Sequence, residues 1–196
     1  MQAVAEKLYT TEEYFAFCEK NEGRFEYVNG EIIEMSGESV AANQIAGNIH
    51  RYLGNLLEDQ PFIFVQNAVK LQVKNGKAFR IPDFFIFHET GNQKKYATEP
   101  IFIVEVLSES SINTDRVTKL AEYTQLPTLE YYLIIEQDEC LVEVFNREGK
   151  RWYVEFYSDI NEHIDLPALN IQLPLSVIYK KVQLPPPTDE SNLATA

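Results

Sequence analysis

Cysteine is scarce in this chain, and its two cysteines, Cys18 and Cys140, lie far apart without the spacing of a metal site. We interpret both as reduced thiols, the usual state in the cytoplasm, and predict a cytoplasmic protein. The chain also lacks the run of about 20 apolar residues that a membrane helix needs. Its N-terminus has no basic region followed by an apolar block, so the sequence predicts neither a secretory signal nor contact with a membrane.

Positive charge is in short supply as well. Lysine and arginine together number 17 against 30 acidic residues, which gives a net charge of −13. That balance disfavours non-specific adhesion to polyanions, and a nucleic-acid-binding protein usually carries a basic face. Any contact with nucleic acid must therefore depend on local basic side chains. The candidates are Arg51, Lys70, Lys74, Lys77, Arg80, Lys94, Lys95 and Arg116.

Apolar residues, by contrast, are plentiful enough for one folded domain. The chain has 196 residues, is 45% hydrophobic, and contains 12 phenylalanines and 11 tyrosines. A chain of this length suits a single core, which we assign to residues 1–182. From residue 183 the composition turns to proline and then to polar residues, which predicts a disordered tail over 183–196.

Three local patterns predict the elements at the start of the chain. The stretch "TTEEYFAFCEK" is typical of a short helix capped by Thr10 or Thr11. Asn29-Gly30 separates two β-rich runs, which predicts that residues 24–28 and 31–35 form a hairpin. The next apolar residues recur at helical spacing over residues 40–59 and predict a longer amphipathic helix.

The middle and end of the chain predict strands around one further helix. We interpret "FIFVQNAVKLQV", "FRIPDFFIF" and "IFIVEVL" as three strands, with a turn at Asn75-Gly76. "TDRVTKLAEYTQL" predicts a helix that begins at Asn113 or Thr114 and ends before Pro127. "EYYLIIE", "CLVEVFN" and "RWYVEFY" predict a β-meander, and "LPLSVIYKK" a short last helix. This order predicts an α/β (α+β) fold with a central mixed sheet flanked by helices.

Two acids stand inside these apolar strands. Side chains alternate along a strand, so Asp83 should share a face with Ile81 and Phe85, and Glu105 with Ile103. A lone buried carboxylate costs several kcal/mol unless it is paired, hydrogen-bonded or metal-bound. Two explanations stay open: each acid pairs with a basic or amide group, or both bind one divalent cation.

The positions of the two acids favour the cation. Proline in a sheet is usually confined to edges, first residues or bulges, so Pro82 predicts an irregular site at Asp83. Glu105 directly precedes a polar loop, "SESSIN". Mg²⁺ prefers one or two carboxylates completed by water and phosphate oxygens. Acids that come from two strand ends suit that requirement.

Two further candidates lie on neighbouring elements. Asp115, Lys119 and Tyr123 form one helical stripe, from which Lys119 could reach the strand ends, although a surface Asp115–Lys119 pair is equally compatible with the spacing. In the hairpin, Glu31 shares a face with Ile33 and Met35. Glu26 and Glu34 are predicted to be exposed.

The same residues resemble a known family. "FEYVNGEIIEMS", "PDFFIF", "IVEVLSESS", "DRVTKLAEYTQLPTLEYYLII" and "CLVEVFN" follow, in order and spacing, the motifs of a bacterial family of putative restriction endonucleases. That family, formerly a domain of unknown function, belongs to the PD-(D/E)XK nuclease superfamily. The resemblance runs from about residue 10 to 180. It implies a restriction-endonuclease-like core, preceded by the hairpin and followed by the meander.

The resemblance also implies an activity and roles for individual residues. Asp83, Glu105 and Glu31 would bind Mg²⁺ or Mn²⁺, and Lys119 would replace the superfamily's usual lysine, whose place is taken here by Leu107. The protein would then be a metal-dependent endonuclease that hydrolyses DNA, and a homodimer would gather basic residues from two subunits. A nuclease-like protein without cleavage activity, serving in binding, defence or a mobile element, is the alternative. An unrelated protein with structural acids is a third possibility.

Overall fold

The computed structural model of this protein describes residues 7–67, 69–89, 95–108 and 111–184. Most of the predicted tail, from residue 185, lies outside these ranges, and so does Lys94. In chain order the helices are α1 (Thr11–Lys20), α2 (Val40–Leu56), a π-helical segment (Thr114–Lys119) continuing into α3 (Leu120–Tyr123), and α4 (Leu175–Ile178). The strands are β1 (Phe25–Val28), β2 (Glu31–Glu34), β3 (Phe62–Gln66), β4 (Lys70–Val73), β5 (Ala78–Arg80), β6 (Phe84–His88), β7 (Tyr96–Ala97), β8 (Pro100–Val106), β9 (Tyr131–Ile135), β10 (Val142–Glu148), β11 (Arg151–Tyr157), β12 (His163–Leu166) and β13 (Ile171–Pro174).

The first predicted elements are confirmed, with the predicted signals at their ends. Thr10 caps α1 in a capping box, in which its hydroxyl accepts from the Glu13 backbone and the Glu13 carboxylate accepts from the Thr10 backbone. β1 and β2 pair antiparallel around Asn29-Gly30, whose φ angles are both positive, as a tight hairpin turn requires. The helix predicted over residues 40–59 is α2, which ends three residues earlier.

Two predicted strands are wrong, because each is broken into two strands of different sheets. "FIFVQNAVKLQV" forms β3 and β4, with Asn67 between them in the left-handed region at φ 58°. "FRIPDFFIF" forms β5 and β6, and residues 81–83 belong to neither. Pro82 has no N–H to donate to a ladder, which explains the second break. Periodicity alone does not reveal a strand that changes sheets.

The described strands form two large sheets and one hairpin. The larger sheet has the order β11-β10-β9-β8-β6-β3, and only its β8–β9 pair is parallel. The second has the order β2-β1-β5-β4-β7, and the third is the β12–β13 hairpin, which the sequence analysis missed. The predicted mixed sheet with flanking helices is confirmed. The first hairpin, however, is part of the second sheet rather than a separate unit before it.

β8 lies at the centre of the larger sheet, and all seven of its residues are buried. Phe102 and Val104 face the apolar cluster that includes α2, whereas Ile103 packs in a second cluster with Tyr123 and Tyr132. Glu105 is on the Ile103 face by strand alternation. It therefore points into the layer that the π-helical segment and α3 cover.

Among the described residues, no helix has both the length and the apolar character needed to cross a bilayer.

Candidate active site

Asp83 stands in the irregular segment between β5 and β6, so the predicted irregularity is confirmed and its predicted place within a strand is wrong. It is 8% exposed. Its Oδ2 accepts a hydrogen bond of 2.6 Å from the Val106 N–H, and its backbone carbonyl accepts one of 3.2 Å from the Asn67 N–H. These contacts hold the carboxylate against the end of β8, beside Glu105.

Glu105 is 2% exposed, and one of its oxygens makes both of its polar contacts. Oε1 accepts a hydrogen bond from the Tyr123 hydroxyl at 2.8 Å and lies 2.9 Å from Lys119 Nζ. Among the described residues, neither Glu105 Oε2 nor Asp83 Oδ1 has a hydrogen-bond or ion-pair partner. Each acid therefore keeps one oxygen for a ligand.

Lys119 ends the π-helical segment and is 5% exposed. Its Nζ lies 2.9 Å from both Glu105 Oε1 and Asp115 Oδ1, and 3.9 Å from Glu26 Oε1. The alternative of a surface Asp115–Lys119 pair is wrong, because both side chains are buried. π-helical turns are rare and often occur at functional sites. This one belongs to the segment that brings an ammonium group among three carboxylates.

The hairpin contributes a different acid from the predicted one. Glu26, expected to be exposed, is 4% exposed, whereas Glu31 is exposed and is not among the residues that line the cleft described below. Glu26 pairs across the hairpin with Ile33, and Glu31 lies two positions nearer the turn. That offset is about 7 Å along a strand, enough to place Glu31 beyond the site.

Glu26 also belongs to a buried ion-pair network below the site. Its Oε1 accepts from the Ile81 N–H at 3.1 Å, and its Oε2 lies 2.7 Å from Arg80. Arg80 in turn forms a two-pronged pair with Glu122, at 2.7 and 2.9 Å. Structural pairing therefore accounts for Glu26 and Glu122. Because Arg80 is 2% exposed, it is not available to nucleic acid.

Burial shapes the electrostatics of the site. It raises the pKa of Asp83 to about 7, although the Val106 N–H and Lys119 act in the opposite direction. Burial also raises the pKa of Glu105, where Lys119 again opposes it and the neighbouring Asp115 and Asp83 carboxylates add to it. For Lys119, burial alone would lower the pKa, but Glu105, Glu26 and Asp115 outweigh it and raise the value. The single ammonium group of Lys119 therefore lies among more carboxylates than its charge can neutralise.

These side chains line a cleft of about 400 Å³. Asp83, Glu105 and Lys119, three of the four predicted site residues, meet there. In the part of the chain that the structure describes, no three His, Cys, Asp or Glu side chains form a group that could hold a metal ion. The predicted three-acid set with Glu31 is therefore not formed. The two open carboxylate oxygens, one on Asp83 and one on Glu105, suit a Mg²⁺ site with two protein ligands. Water and phosphate oxygens would complete the coordination shell of such an ion.

Several of the basic candidates are already paired with acids. Arg116 contacts Glu136 and Glu143, and Lys95 contacts Glu19. Lys74 lies 2.9 Å from Glu122.

Sequence reasoning missed Glu26 for a simple reason. In "FEYV" an acid alternates with apolar residues, which is typical of a strand with one wet face. Only tertiary packing covers that second face. The available signal in this region was Pro82, because a proline cannot donate to a strand ladder. It indicates that the strand ending at Arg80 does not continue through Asp83.

The chain is similar over most of its length to a family model and to two proteins of Synechocystis sp.. The model described as "Uma2: Putative restriction endonuclease" matches residues 11–177. The uncharacterized protein sll1609 of Synechocystis sp. is 28% identical over 176 residues, which is 87% of this chain and 99% of that protein. A second uncharacterized protein of Synechocystis sp., slr1290, is 23% identical over 171 residues, or 86% and 90% of the two chains.

A solved structure shares the fold. The crystal structure of a putative nuclease belonging to DUF820 from Anabaena variabilis superposes with a TM-score of 0.65 and covers 87% of this chain and 97% of that one. The two sequences are 14% identical, so the likeness concerns the fold.

Proposed function

Because the chain belongs to the Uma2 family of putative restriction endonucleases, we propose that it is a metal-dependent endonuclease that hydrolyses phosphodiester bonds in DNA. The family resemblance inferred from the motifs is confirmed. The observation that carries the proposal is the meeting of Asp83, Glu105 and Lys119 in one cleft, from three separate parts of the chain.

Asp83 and Glu105 would hold Mg²⁺ or Mn²⁺ through their two open oxygens. When bound, such an ion polarises a phosphoryl oxygen and lowers the pKa of a bound water. The Val106 N–H and the Tyr123 hydroxyl fix the other oxygen of each acid, so the two carboxylates are already oriented before a ligand arrives. Because these hydrogen bonds orient Asp83 and Glu105, the arrangement favours a metal site with two protein ligands rather than three.

Lys119 would act as a charged donor rather than as a base. Its pKa is raised by the surrounding carboxylates, so the amine keeps its proton at neutral pH. An ammonium in this position can orient an attacking water through its N–H groups or stabilise negative charge that develops on the phosphate. Glu26, 3.9 Å from Nζ and bonded to the Ile81 N–H, helps to position both Lys119 and the segment that carries Asp83.

The direct test is cleavage by the purified full-length chain. We expect supercoiled plasmid DNA to be nicked or linearised with Mg²⁺ or Mn²⁺ and to stay intact with EDTA, and we expect labelled RNA of matched sequence to be a poorer substrate. Preferential cleavage of RNA would replace the DNA assignment. Absence of metal-dependent cleavage of either polymer would contradict the proposed activity.

A nuclease-like protein that binds nucleic acid without cleaving it is the second candidate. The absence of a three-acid metal group within the described ranges favours it. Binding of DNA without cleavage under any of the conditions above would select this candidate.

Cation binding should depend on pH. Because the folded-state pKa of Asp83 is raised from 3.8 to about 7, the metal-free protein keeps a proton that the unfolded chain has already lost. The stability linked to this proton is lost as pH rises between those two values. Protons therefore compete with the cation, and because the pKa of Glu105 is raised as well, we expect the Mn²⁺ association constant to fall by at least about tenfold per unit as pH drops below 7. Titration calorimetry measures this dependence, and an affinity that is flat from about pH 5.5 to 8 would contradict it.

A further inference from the structure

The cleft is acidic, although its proposed substrate is a polyanion. Among the described lining residues six are acidic, and only Arg24 and Lys119 are basic. Lys119 is buried against carboxylates, so it offers little to a phosphate outside the catalytic position. The Arg24 side chain is 24% exposed. Arg24 is therefore the accessible cation at this cleft in the part of the chain that the structure describes.

Arg24 is held by an acid rather than left in solvent. Its Nη1 donates to Glu38, and its Nη2 donates to the Ser36 carbonyl at 2.7 Å. The other oxygen of Glu38 accepts from Asn67 Nδ2 at 2.6 Å. A guanidinium has five N–H donors, and these contacts use two of them. The remaining donors and the charge suit the oxygens of a phosphate, which arginine binds in two-pronged geometry.

The Arg24–Glu38 pair stands between two open spaces. Both residues line the catalytic cleft, and both line a second cavity of about 590 Å³ that is also bordered by Asn67 and the start of α2. The Arg24 backbone is anchored, since its carbonyl accepts from the Met35 N–H at 2.9 Å. The Glu38 carboxylate, by contrast, contacts the side chains of Arg24 and Asn67. Rotation of the Glu38 side chain alone is therefore enough to release the guanidinium, while the Arg24 backbone stays in place.

We propose that Arg24 binds a phosphate of the nucleic-acid backbone beside the scissile position, and that Glu38 occupies Arg24 in the free protein. This inference rests on the proposed function. Substrate phosphate displaces the Glu38 carboxylate and joins the two cavities into one path for the backbone. Glu38 therefore restricts this position to ligands whose phosphate can compete with the Glu38 carboxylate for Arg24.

The test is a double-mutant cycle on DNA binding, measured by fluorescence anisotropy with a labelled duplex of mixed sequence and Ca²⁺ as the cation. Arg24→Gln should weaken binding about tenfold and reduce the slope of log affinity against log salt by about one. Glu38→Gln should tighten binding several-fold, because it frees the guanidinium. In the Arg24→Gln background, Glu38→Gln should tighten binding no more than the loss of another acid at this cleft does, since the two residues then have no interaction to lose.

Two controls separate this pairing from general electrostatics. Glu34→Gln removes an exposed acid that lines the same cleft and should tighten binding less than Glu38→Gln does in the presence of Arg24, and equally in both Arg24 backgrounds. Arg151→Gln removes an exposed arginine on β11 and should change neither the affinity nor the salt slope. Thermal unfolding of each variant excludes loss of folding, and Arg24→Lys, which keeps the charge, should retain the slope while losing part of the affinity.

The outcomes distinguish the two proposals. If the wild type binds the duplex and Arg24→Gln binds it equally well, or if Glu38→Gln tightens binding by the same factor in both backgrounds, the Arg24–Glu38 inference is wrong and the proposed function stands. If the wild type binds neither duplex nor single strand at low salt, the proposed function is wrong and the inference with it.

Discussion

Glu105→Gln is expected to lower the rate of metal-dependent cleavage by about 10³-fold or more, which corresponds to about 4 kcal/mol of transition-state stabilisation. The amide keeps the shape of the side chain and can still accept from the Tyr123 hydroxyl. It removes the negative charge that a divalent cation requires. The measurement is kcat/KM for plasmid nicking with Mg²⁺, and Asp83→Asn should show a loss of the same order because both acids serve one ion.

The same substitution should not destabilise the metal-free protein. Burial raises the pKa of Glu105, so the ionised carboxylate is held against its preference, and a neutral amide relieves that cost. Lys119 keeps Asp115 at 2.9 Å and Glu26 at 3.9 Å as partners. We therefore expect the free energy of unfolding in urea at about pH 8 to be unchanged or higher.

Glu148→Gln is the matched control for this variant, since Glu148 is exposed at the end of β10. It should keep full activity and stability. Cleavage by Glu105→Gln at the wild-type rate would assign the activity to another site or to a contaminant. Parallel assays of Glu26→Gln and Glu31→Gln decide which hairpin acid matters. The cleft geometry predicts the greater loss for Glu26→Gln.

Lys119→Met should destabilise the protein by about 3–5 kcal/mol at pH 8, the range seen when one partner of a buried ion pair is removed. Methionine has nearly the same length but leaves the Glu105, Asp115 and Glu26 carboxylates without their shared ammonium. Lys119 lowers the pKa values of Asp83 and Glu105 in the wild type, so both should rise further in the variant. Urea unfolding measures the loss.

The pH dependence identifies the cause of that loss. When folding raises the pKa of an acid, the free energy of unfolding decreases as pH rises from the pKa of the unfolded chain to that of the folded protein. The defect of Lys119→Met should therefore be largest at about pH 8 and shrink towards pH 5, where the carboxylates take up protons. Lys77→Met, at an exposed position, should change stability by no more than about 0.5 kcal/mol. A defect independent of pH would mean that Lys119 contributes through packing rather than charge.

Glu105→Gln and Lys119→Met measure separately the cost of burying a carboxylate and the compensation that the lysine supplies. The acids are expensive to bury and the lysine compensates only part of that cost, which leaves room for a cation. A core built for stability alone would hold fewer carboxylates around one ammonium. We infer that the surplus is retained because it creates affinity for a positive ligand.

The local elements were predictable wherever a short signal decides the structure. The helix start at Thr10 or Thr11, the Asn29-Gly30 hairpin and the Asn75-Gly76 turn depend on a few residues each, and all three were identified from the sequence. The structure places the cap at Thr10. The breaks after Gln66 and Arg80 were not identified. A run of apolar residues looks the same whether it continues in one sheet or passes to another, because the alternation is unchanged.

The sequence by itself determined that Asp83 and Glu105 are unusual, because a carboxylate among apolar residues demands compensation wherever the chain folds. It also determined the motif order that places the chain in its family. Tertiary structure alone decided which groups supply the compensation: Glu26 rather than Glu31 reaches the cleft, Lys119 is buried, and Glu38 holds Arg24. Periodicity specifies the face on which a side chain lies, but the partner across that face comes from a distant part of the chain, and only the packing of the layers brings the two together.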